Sequence, residues 1–488
     1  MASTAPSGYP DDELKVLCDT VASWLPTHRP ADALVCCWLT LANKDPTRFR
    51  TVSTYAHTGG SVTTREQFEK LKAEDWQSCA DIAAELFRLA RPCPVVLIQF
   101  FDHVLEDQGA RPVHDDGRDP YTEDIYSGPC LKICLSPQVL AALQVDPHFA
   151  CCFVIRRAAG APVPPAQRQA SDLNRFNPHW YVVPEIPEIA QPRRRIKPYA
   201  ATVGLRTACA YIQTRGKALH VYLAELECKP AFESELSGAS GSPQAWLAKG
   251  LHNVADVSAE VIEHLVRAKE LQADVVVFPE LTIPGAIKGA IQDWISDNNT
   301  PSATDDHAIG WVVAGSFHEE DTKSTTRCHH NRAFAVDRSG DTIEGFTHRK
   351  ITQVTLKGGY ITEANLAGEE IGLQHSPLGI QTVVICLDLA QAIEPDRLPL
   401  HLLPINWLWV PSLSEEVSAH QSRARNINLS MPMRVICANQ AKAAFPPGAM
   451  ELKGSHLQSF VTIPAPPSVQ SLSAVNGGTA WQLFHIAL

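Results

Sequence analysis

The feature that most restricts the fold is a series of short, β-branched apolar runs in the second half of the chain. One of them, ADVVVFPELTIPG (273–285), follows the helical pattern VADVSAEVIEHLVRAKELQ (254–272), in which apolar residues recur at helical spacing. Strands that alternate with helices indicate a layered α/β architecture. The other predicted strands are KALHVYLAELE (217–227), HAIGWVVAGSFHEE (307–320), both halves of NRAFAVDRSGDTIEGFTHRK (331–350), SPLGIQTVVICLD (376–388), LLPINWLWVPS (402–412) and MRVICANQ (433–440).

The first part of the chain, residues 1–157, has the composition of a smaller α+β or α/β domain. A helix is predicted over residues 64–91, where apolar side chains recur at helical spacing. Short apolar runs predict buried strands at ALVCCWLTLA (33–42), PVVLIQFF (94–101) and FACCFVIRR (149–157).

Residues 158–216 are rich in proline, which disfavours helices and central strands. We therefore predict a linker or wrapping segment there, followed by a second domain at 217–488. A polar loop in the first domain is typical of a turn, with a cation site as the alternative; its acidic and imidazole side chains are His114, Asp115, Asp116 and Asp119.

Composition limits the classes of protein to which the chain can belong. Its 488 residues exceed one ordinary hydrophobic core, and 45% hydrophobic with 19% charged residues is a globular composition. The net charge of −11 argues against a nucleic-acid partner. The start lacks a secretory signal pattern, and no apolar run reaches the roughly 20 residues of a membrane span. We therefore expect a soluble, cytoplasmic protein with no membrane partner.

The fourteen cysteines predict free thiols rather than disulfides or a metal site. They are spread along a long chain, and a reducing cytosol keeps such residues as thiols. Cys130 and Cys134 have no second ligand pair at a zinc-site spacing. Two pairs of neighbouring cysteines lie in apolar runs and are typical of core residues; they are Cys36 with Cys37 and Cys151 with Cys152.

Three reactive side chains in the second half follow predicted strands. Glu280 follows VVVFP, Lys350 ends THRK, and Cys386 ends VVIC. Residues beyond strand ends tend to meet on a rigid scaffold in α/β folds. Taken singly, each of the three is explained equally well as a solvated acid, a surface lysine or a core thiol.

Together these residue types support nucleophilic catalysis on an amide or nitrile carbon. An ammonium group stabilises the thiolate, so Lys350 is expected to lower the pKa of Cys386. Glu280 is the candidate general base, first toward the thiol and later toward water. The anionic tetrahedral centre needs a cation and backbone donors, for which Lys350 and the N–H of Leu387 are candidates.

In this order, the three blocks resemble the signature motifs of the nitrilase or carbon–nitrogen hydrolase superfamily. The stretch EANLAGEEIGLQHSPLG (363–379) is similar to the family segment between lysine and cysteine. LWVPS (408–412) and CANQ (437–440) are similar to the strands that follow the nucleophile. The resemblance covers roughly residues 217–488.

The resemblance implies an αββα sandwich that pairs with a second subunit, as a homodimer or higher homo-oligomer. It implies a Glu280, Lys350 and Cys386 triad that acts through a thioester or thioimidate, without metal or organic cofactor. It also implies that Glu363 orders the lysine and the substrate. The chain departs from the family pattern at Leu387, which is commonly aromatic, and in a longer connection between the lysine and the second glutamate.

Several classes of function are consistent with this resemblance. We favour an enzyme that hydrolyses a small-molecule amide, of amidase or carbamoylase type, over a true nitrilase. Two further hypotheses are a catalytically silent sensing or assembly module, for example in a prokaryotic defence system, and an enzyme that transfers an acyl group to an amine or lipid. Because the chain keeps all three triad residue types, catalysis is favoured. The N-terminal domain is expected to bind a ligand or protein partner, or to gate the site.

Overall fold

The chain forms two compact units in the computed structural model. The first comprises Met1–Arg157, Val163–Glu188 and Leu402–Pro404, and the second comprises Ala158–Pro162, Ile189–His401 and Ile405–Leu488. The structure describes residues 11–24, 30–43, 79–91, 95–107, 130–145, 151–156, 180–185, 195–215, 218–237, 244–299, 307–321, 328–356, 361–390, 400, 403, 405–430, 433–445, 451–455, 458–464 and 471–488.

The first unit combines helices with a small antiparallel sheet around one apolar core. The sheet has the strand order β1 (Cys130–Cys134), β2 (Cys151–Arg156), β3 (Trp180–Pro184). The helices are α1 (Asp11–Ala22), α2 (Pro30–Asn43), α3 (Cys79–Ala90), α4 (Val95–Asp107) and α5 (Pro137–Ala142).

Two segments that the sequence predicts as strands, 33–42 and 94–101, are instead the helices α2 and α4. Almost every described side chain of α2 is buried, and a helix buried all round has the same continuous apolar run as a buried strand. In α4, Leu97, Phe101 and Leu105 recur four residues apart, and this helical period continues past the end of the predicted strand.

The remaining predictions for this unit have mixed outcomes. The strand predicted over 149–157 is confirmed as β2. Within the predicted helix 64–91, the described part forms α3, while residues 64–78 and the polar loop 114–119 lie outside the described residues. Cys36 and Cys37 are buried free thiols in the core, as predicted.

The prediction of free thiols is wrong for Cys134 and Cys151, which form a disulfide. They lie directly opposite each other on the antiparallel strands β1 and β2, with their Cα atoms 4.1 Å apart. The sequence alone does not predict this pairing, because it depends on the register of the two strands, which places the two cysteines opposite each other.

The segment 158–216 contains more regular structure than the predicted linker. It carries β3, β4 (Arg195–Tyr199) and α6 (Val203–Arg215). Both strands lie at the edge of a sheet, where proline is tolerated because an edge strand has an unpaired side. Helix α6 follows the last proline, and its Leu205, Ala208 and Ile212 are buried.

The second unit is built from two large sheets and two small ones. The six-stranded sheet has the order β10 (His329–Asp337), β9 (Trp311–Glu320), β8 (Val275–Phe278), β5 (Ala218–Ala224), β22 (Trp481–Ala487), β21 (Asn476–Gly477). The seven-stranded sheet has the order β20 (Ser471–Leu472), β19 (Phe460–Thr462), β16 (Arg434–Gln440), β15 (Trp407–Leu413), β14 (Gly379–Val383), β13 (Glu370–Ser376), β4. The small sheets are β11 (Thr355–Leu356), β12 (Ile361–Glu363), β7 (Gln244–Leu251), β6 (Phe232–Ser237), and β17 (Lys442–Ala444) with β18 (Glu451–Lys453).

The two large sheets pack face to face through one apolar core. Strand β8 shows how alternation builds the layers: Val275 and Val277 point to the inter-sheet core, while Val276 and Phe278 point to the opposite face. Strands β5, β8 and β9 are parallel and largely buried on both faces, which explains their apolar runs. Trp311 of one sheet meets Trp409 of the other edge to face, with ring centroids 5.9 Å apart.

Helices cover the outer face of the six-stranded sheet. The covering helices are α7 (Val254–Glu270) and α8 (Gly285–Asn298). Two further helices, α9 (Leu387–Ala390) and α10 (Ser418–Ser430), lie elsewhere in the unit. The helix at 254–272 is confirmed, and most of the predicted strands are found in a mixed α/β fold. The predicted hairpin at 331–350 is wrong in its second half: the first half belongs to β10, which pairs with β9, whereas Thr342 and Arg349 form only isolated bridges around a 3₁₀ turn at Glu344–Phe346. Helix α10 contacts strand β19 of the seven-stranded sheet. The complete αββα sandwich stays a prediction.

Among the described residues, no helix is both long enough and apolar enough to cross a membrane.

A β-bulge in β9 supports the loop that carries Glu280. Ser316 and Val313 pair with Ala333 and Ala335, so two residues of β9 oppose one of β10. One of the two is Gly315, with φ +61°, and a Cβ there would lie 2.1 Å from the carbonyl oxygen of Pro279. Only glycine fits both the left-handed conformation and this close approach.

We expect Gly315→Ala to lower the free energy of unfolding by more than about 1 kcal/mol, because the new methyl group meets a backbone oxygen in a conformation that L-residues disfavour. Thermal and urea denaturation would measure the loss. Gly289→Ala is the matched control. Gly289 lies inside α8 with open space around its Cβ position, so the same change should raise stability by about 0.4–1 kcal/mol. Equal effects of the two changes would contradict the role of the bulge.

Candidate active site

Cys386 lies on a sharp turn between strand β14 and helix α9. Its backbone is in the left-handed region, with φ +46°, which disfavours a residue with a side chain by about 1–2 kcal/mol. The turn is held by a hydrogen bond from the Cys386 N–H to the carbonyl of Pro411 in strand β15, at 2.8 Å. Such strain persists only where the surrounding structure enforces it, and it clusters at functional sites.

Lys350 is fully buried between two glutamates. Its Nζ donates to Glu280 Oε1 at 2.6 Å and to Glu363 Oε2 at 2.7 Å. All three side chains are at most 2% exposed. Burial of three ionisable groups is unfavourable unless they are paired and hydrogen-bonded. The desolvation of this cluster therefore opposes folding, and its hydrogen bonds must compensate for it.

Two further side chains, from Asn331 and His318, also contact the carboxylates of the two glutamates. Asn331 Nδ2 donates to Glu280 Oε1 and to Glu363 Oε1, at 2.9 Å in each case. His318 lies 3.0 Å from Glu363 Oε1 through Nε2, while the N–H of Ala248 donates to its Nδ1 at 2.9 Å. Because Nδ1 accepts, the proton of a neutral His318 is on Nε2 and is donated to Glu363.

The environment separates the proton affinities of the two glutamates. Burial raises the pKa of Glu280, although the charge of Lys350 opposes this. Burial acts in the same direction on Glu363, but Lys350 and His318 outweigh it and hold the pKa of that carboxyl far below its usual range. Burial would lower the pKa of Lys350, but the charges of the two glutamates outweigh it and raise the pKa, so Lys350 stays protonated.

The expectation that Cys386 has a lowered pKa is wrong. Burial raises the pKa of its thiol to about 12, and the negative charge of Glu280 adds to this while Lys350 opposes it. Lys350 is already bonded to two carboxylates, so little of its charge is left to stabilise a thiolate. The thiol donates to the carbonyl oxygen of Leu413 at 3.8 Å, and the N–H of the same residue donates to Glu280 Oε2 at 3.1 Å, so the Glu280 carboxylate lies beside the thiol. Cys386 therefore rests as a thiol next to a base of raised proton affinity.

The structure brings all four predicted side chains together: Glu280, Lys350, Glu363 and Cys386 form one buried cluster. The long connection after Lys350 folds back through β11 and β12, and the N–H of Val354 donates to Glu363 Oε2 at 3.2 Å. Leu387 is the first residue of α9. The role of its N–H as an oxyanion donor stays a prediction.

His420, at the start of helix α10, is a site residue that the sequence analysis missed. Its Nε2 lies 3.6 Å from Cys386 Sγ, and its buried Nδ1 has no hydrogen-bond partner among the described residues. Burial and the charge of Lys350 lower the pKa of His420 from 6.5 to about 4, so the ring is neutral at pH 7. A single histidine in a polar helical segment gives no sequence signal. Asn331 and His318 were missed for the same reason.

One group of possible metal ligands lies near the site in the part of the chain that the structure describes. Donor atoms of Asp321, Cys328 and His330 all lie within 4.8 Å of one another. Arg349 already supplies a cation there, with Nη1 3.2 Å from His330 Nε2 and 3.6 Å from Asp321 Oδ2. These side chains form an ion-pair group at the end of the β9–β10 hairpin, and the arrangement favours no metal.

Comparisons with known proteins gave structural similarities only. No protein-family model and no curated protein matches the sequence. The C. elegans NitFhit protein is 14% identical, with a TM-score of 0.38 over 56% of this chain, and the match spans 61% of the NitFhit chain. An amidase from Nesterenkonia sp. AN1 is 13% identical, with a TM-score of 0.39 over 56% of this chain and 92% of its own.

Saccharomyces cerevisiae Nit3 is 17% identical, with a TM-score of 0.35 over 56% of this chain and 91% of its own. Nit3 and the amidase are named as members of the nitrilase superfamily, which is the family that the sequence motifs resemble.

We expect His420 to destabilise the protein in acid. Its pKa is lower in the folded chain (about 4) than its ordinary 6.5, so the unfolded chain binds more protons between these values. Stability is therefore lost as the pH falls from 6.5 to 4, by up to about 3 kcal/mol. His420→Gln should flatten this part of the pH–stability curve in urea titrations. Replacement of the exposed His252 by Gln is the control, and equal slopes in both variants would contradict the assignment.

Proposed function

We propose that the protein is a carbon–nitrogen hydrolase that cleaves a non-peptide amide, of amidase or carbamoylase type, through a cysteine thioester. The observation that carries this proposal is Lys350 held between Glu280 and Glu363, with the Cys386 thiol and Glu280 Oε2 both hydrogen-bonded to the backbone of Leu413. A nucleophile, a base of raised proton affinity and a fixed cation are the parts that acyl transfer requires.

In the first half of the reaction, Cys386 Sγ attacks the carbonyl carbon of the amide while Glu280 takes the thiol proton. A C–S bond forms, and the carbonyl electrons move to the oxygen. Lys350 Nζ and the N–H of Leu387 would stabilise this oxyanion. Glu280 then gives its proton to the amide nitrogen as the C–N bond breaks, so ammonia or an amine leaves and a thioester remains.

In the second half, Glu280 takes a proton from water as the water oxygen attacks the thioester carbon. The C–S bond breaks, a carboxylic acid leaves, and the proton on Glu280 returns to the sulfur. The raised pKa of Glu280 suits both directions of transfer, because a base that must later act as an acid needs an intermediate proton affinity. For a carbamoyl substrate the same steps end in a carbamic acid.

The raised pKa of Cys386 favours concerted proton transfer over a preformed thiolate. A thiolate in this site would lie beside the charged Glu280. Transfer of the proton during the attack avoids two adjacent negative charges, and the developing charge passes to the substrate oxygen.

Neutral His420 contacts the sulfur from helix α10, and Ser412 Oγ donates to the same atom at 3.5 Å. The oligomeric state, the role of the first domain and the cellular location stay predictions of the sequence.

The test is selective alkylation of Cys386 by iodoacetamide, followed by mass spectrometry of peptides. Cys437 is a matched internal control, because it is also a buried thiol with a raised pKa and also contacts Ser412, but it lies on β16, two strands from β14 in the sheet. We expect Cys386 to react at least tenfold faster than Cys437, because general bases contribute on the order of 10²–10⁴-fold.

Glu280→Gln should remove most of this difference, and Cys386→Ala should remove the labelled peptide while the protein stays folded. In the unmodified protein, a thioester formed from a pool of small amides should be trapped as a mass adduct on Cys386 by acid quenching during turnover, and Glu280→Gln should slow its formation because Glu280 takes the thiol proton. Equal and slow labelling of Cys386 and Cys437 in the unmodified protein would refute the proposed nucleophile.

A further inference from the structure

Asp388 follows Cys386 by two residues, and its side chain contacts the backbone segment that follows Lys350. Its side chain is fully buried. Oδ1 accepts from the N–H of Thr352 at 2.8 Å and from that of Ile351 at 3.1 Å. Oδ2 lies 3.4 Å from the N–H of Ile385. A single carboxylate therefore joins the two segments through their backbone donors.

His348 extends the same network to the other side of Lys350. It precedes the lysine by two residues and is buried, and its Nε2 lies 2.9 Å from Asp388 Oδ2. Its own carbonyl accepts from the N–H of Ala333 in strand β10, at 2.8 Å. The chain is therefore tied to one carboxylate both before and after Lys350.

Asp388 also spans the strained turn at Cys386. Its N–H donates to the carbonyl of Ile385 at 2.9 Å, while its side chain reaches back to the N–H of the same residue. The left-handed conformation of Cys386 needs such support, because the residue disfavours it.

We propose that Asp388 and His348 are positioning residues: Asp388, oriented by His348, fixes the separation of Lys350 and Cys386 during the attack of the sulfur. This proposal rests on the proposed function. The two residues act through the backbone, and Glu280, Lys350 and Cys386 remain the residues that touch the reacting atoms.

Asp388→Asn is the first test, because it keeps the shape of the side chain and replaces one acceptor oxygen by an NH2 group. In either orientation that group faces backbone N–H donors, those of Ile351 and Thr352 or those of Ile351 and Ile385, so backbone donors lose their acceptor. A misplacement of about 1 Å costs on the order of 100-fold in rate. We therefore expect the alkylation of Cys386 by iodoacetamide to slow by about 100-fold at every pH.

The pH profile separates positioning from acid–base chemistry. Loss of positioning lowers the whole profile and leaves its midpoint in place, whereas Glu280→Gln removes a titrating group and changes the shape of the profile. A purely structural role would lower the melting temperature of Asp388→Asn but leave the alkylation rate of the folded protein unchanged. That result would overturn the proposal.

A pair of changes at His348 provides a second test. Gln can donate to Asp388 from its amide, so His348→Gln should react within a few-fold of the unmodified protein, and His348→Ala should react at least tenfold more slowly. If Asp388→Asn fails to fold, this pair decides: equal rates for Gln and Ala would overturn the proposal, and rescue by Gln alone would support it.

The outcomes also separate this proposal from the proposed function. If Cys386 of the unmodified protein does not react ahead of Cys437, the proposed function fails and the positioning proposal fails with it. If Cys386 reacts selectively but the variants at positions 388 and 348 react at the same rate, only the positioning proposal fails.

Discussion

The buried ion group of Lys350 with Glu280 and Glu363 is the interaction on which the geometry of the site depends. Transfer of three charged groups from water to a protein interior costs several kcal/mol for each ion, and one ammonium cannot neutralise two carboxylates. The group is tolerated because each of the four carboxylate oxygens has a donor. The donors on other residues are Asn331, His318 and the N–H groups of Val354 and Leu413.

The need for a donor at each carboxylate oxygen of Glu280 and Glu363 explains why strands from several sheets meet at the site. The donors come from β9, β10 and β15 and from Val354, which directly precedes β11, so both large sheets and one small sheet must hold their register for the ion group to be satisfied. The Gly315 bulge shows the same constraint in the backbone, since it lets β9 approach the carbonyl that precedes Glu280. A displaced strand would leave a buried carboxylate without a donor, which costs far more than the loss of an exposed ion pair.

Sequence reasoning identified the reactive residues because each follows a predicted strand and lies in a recognisable motif. It could not identify Asn331, His318 or His420, because their contribution depends on which side chains the folded sheets bring together. It failed for α2 because a continuous apolar run is compatible with a buried strand or a helix, and local periodicity does not separate the two when every side is buried. It failed for α4 because the predicted strand ended at Phe101, before Leu105 completed the helical period. The Cys134–Cys151 disulfide depends on strand register, which is also a property of the tertiary structure.

The error about Cys386 is the most informative for mechanism. Proximity of a lysine to a cysteine suggested a thiolate, but proximity alone does not fix a pKa. Two carboxylates already compensate the charge of Lys350, and burial penalises an anion on sulfur, so the thiol keeps its proton. The lysine is more effective as a fixed cation for charge that develops on the substrate than as a partner of the resting nucleophile.

The two glutamates are chemically alike but have different surroundings, and this difference assigns their roles. Glu363 is held ionised by Lys350 and by the donor from His318, so its low proton affinity makes it a poor base. Glu280 has the raised pKa and is the glutamate whose charge acts on the thiol, so in the proposed mechanism a proton that leaves sulfur goes to Glu280. Two titratable groups whose pKa values are driven apart in one site are the usual physical basis for a division between an acid–base group and a permanent charge. In the proposed mechanism, Glu363 therefore serves to fix Lys350, and the protons pass through Glu280.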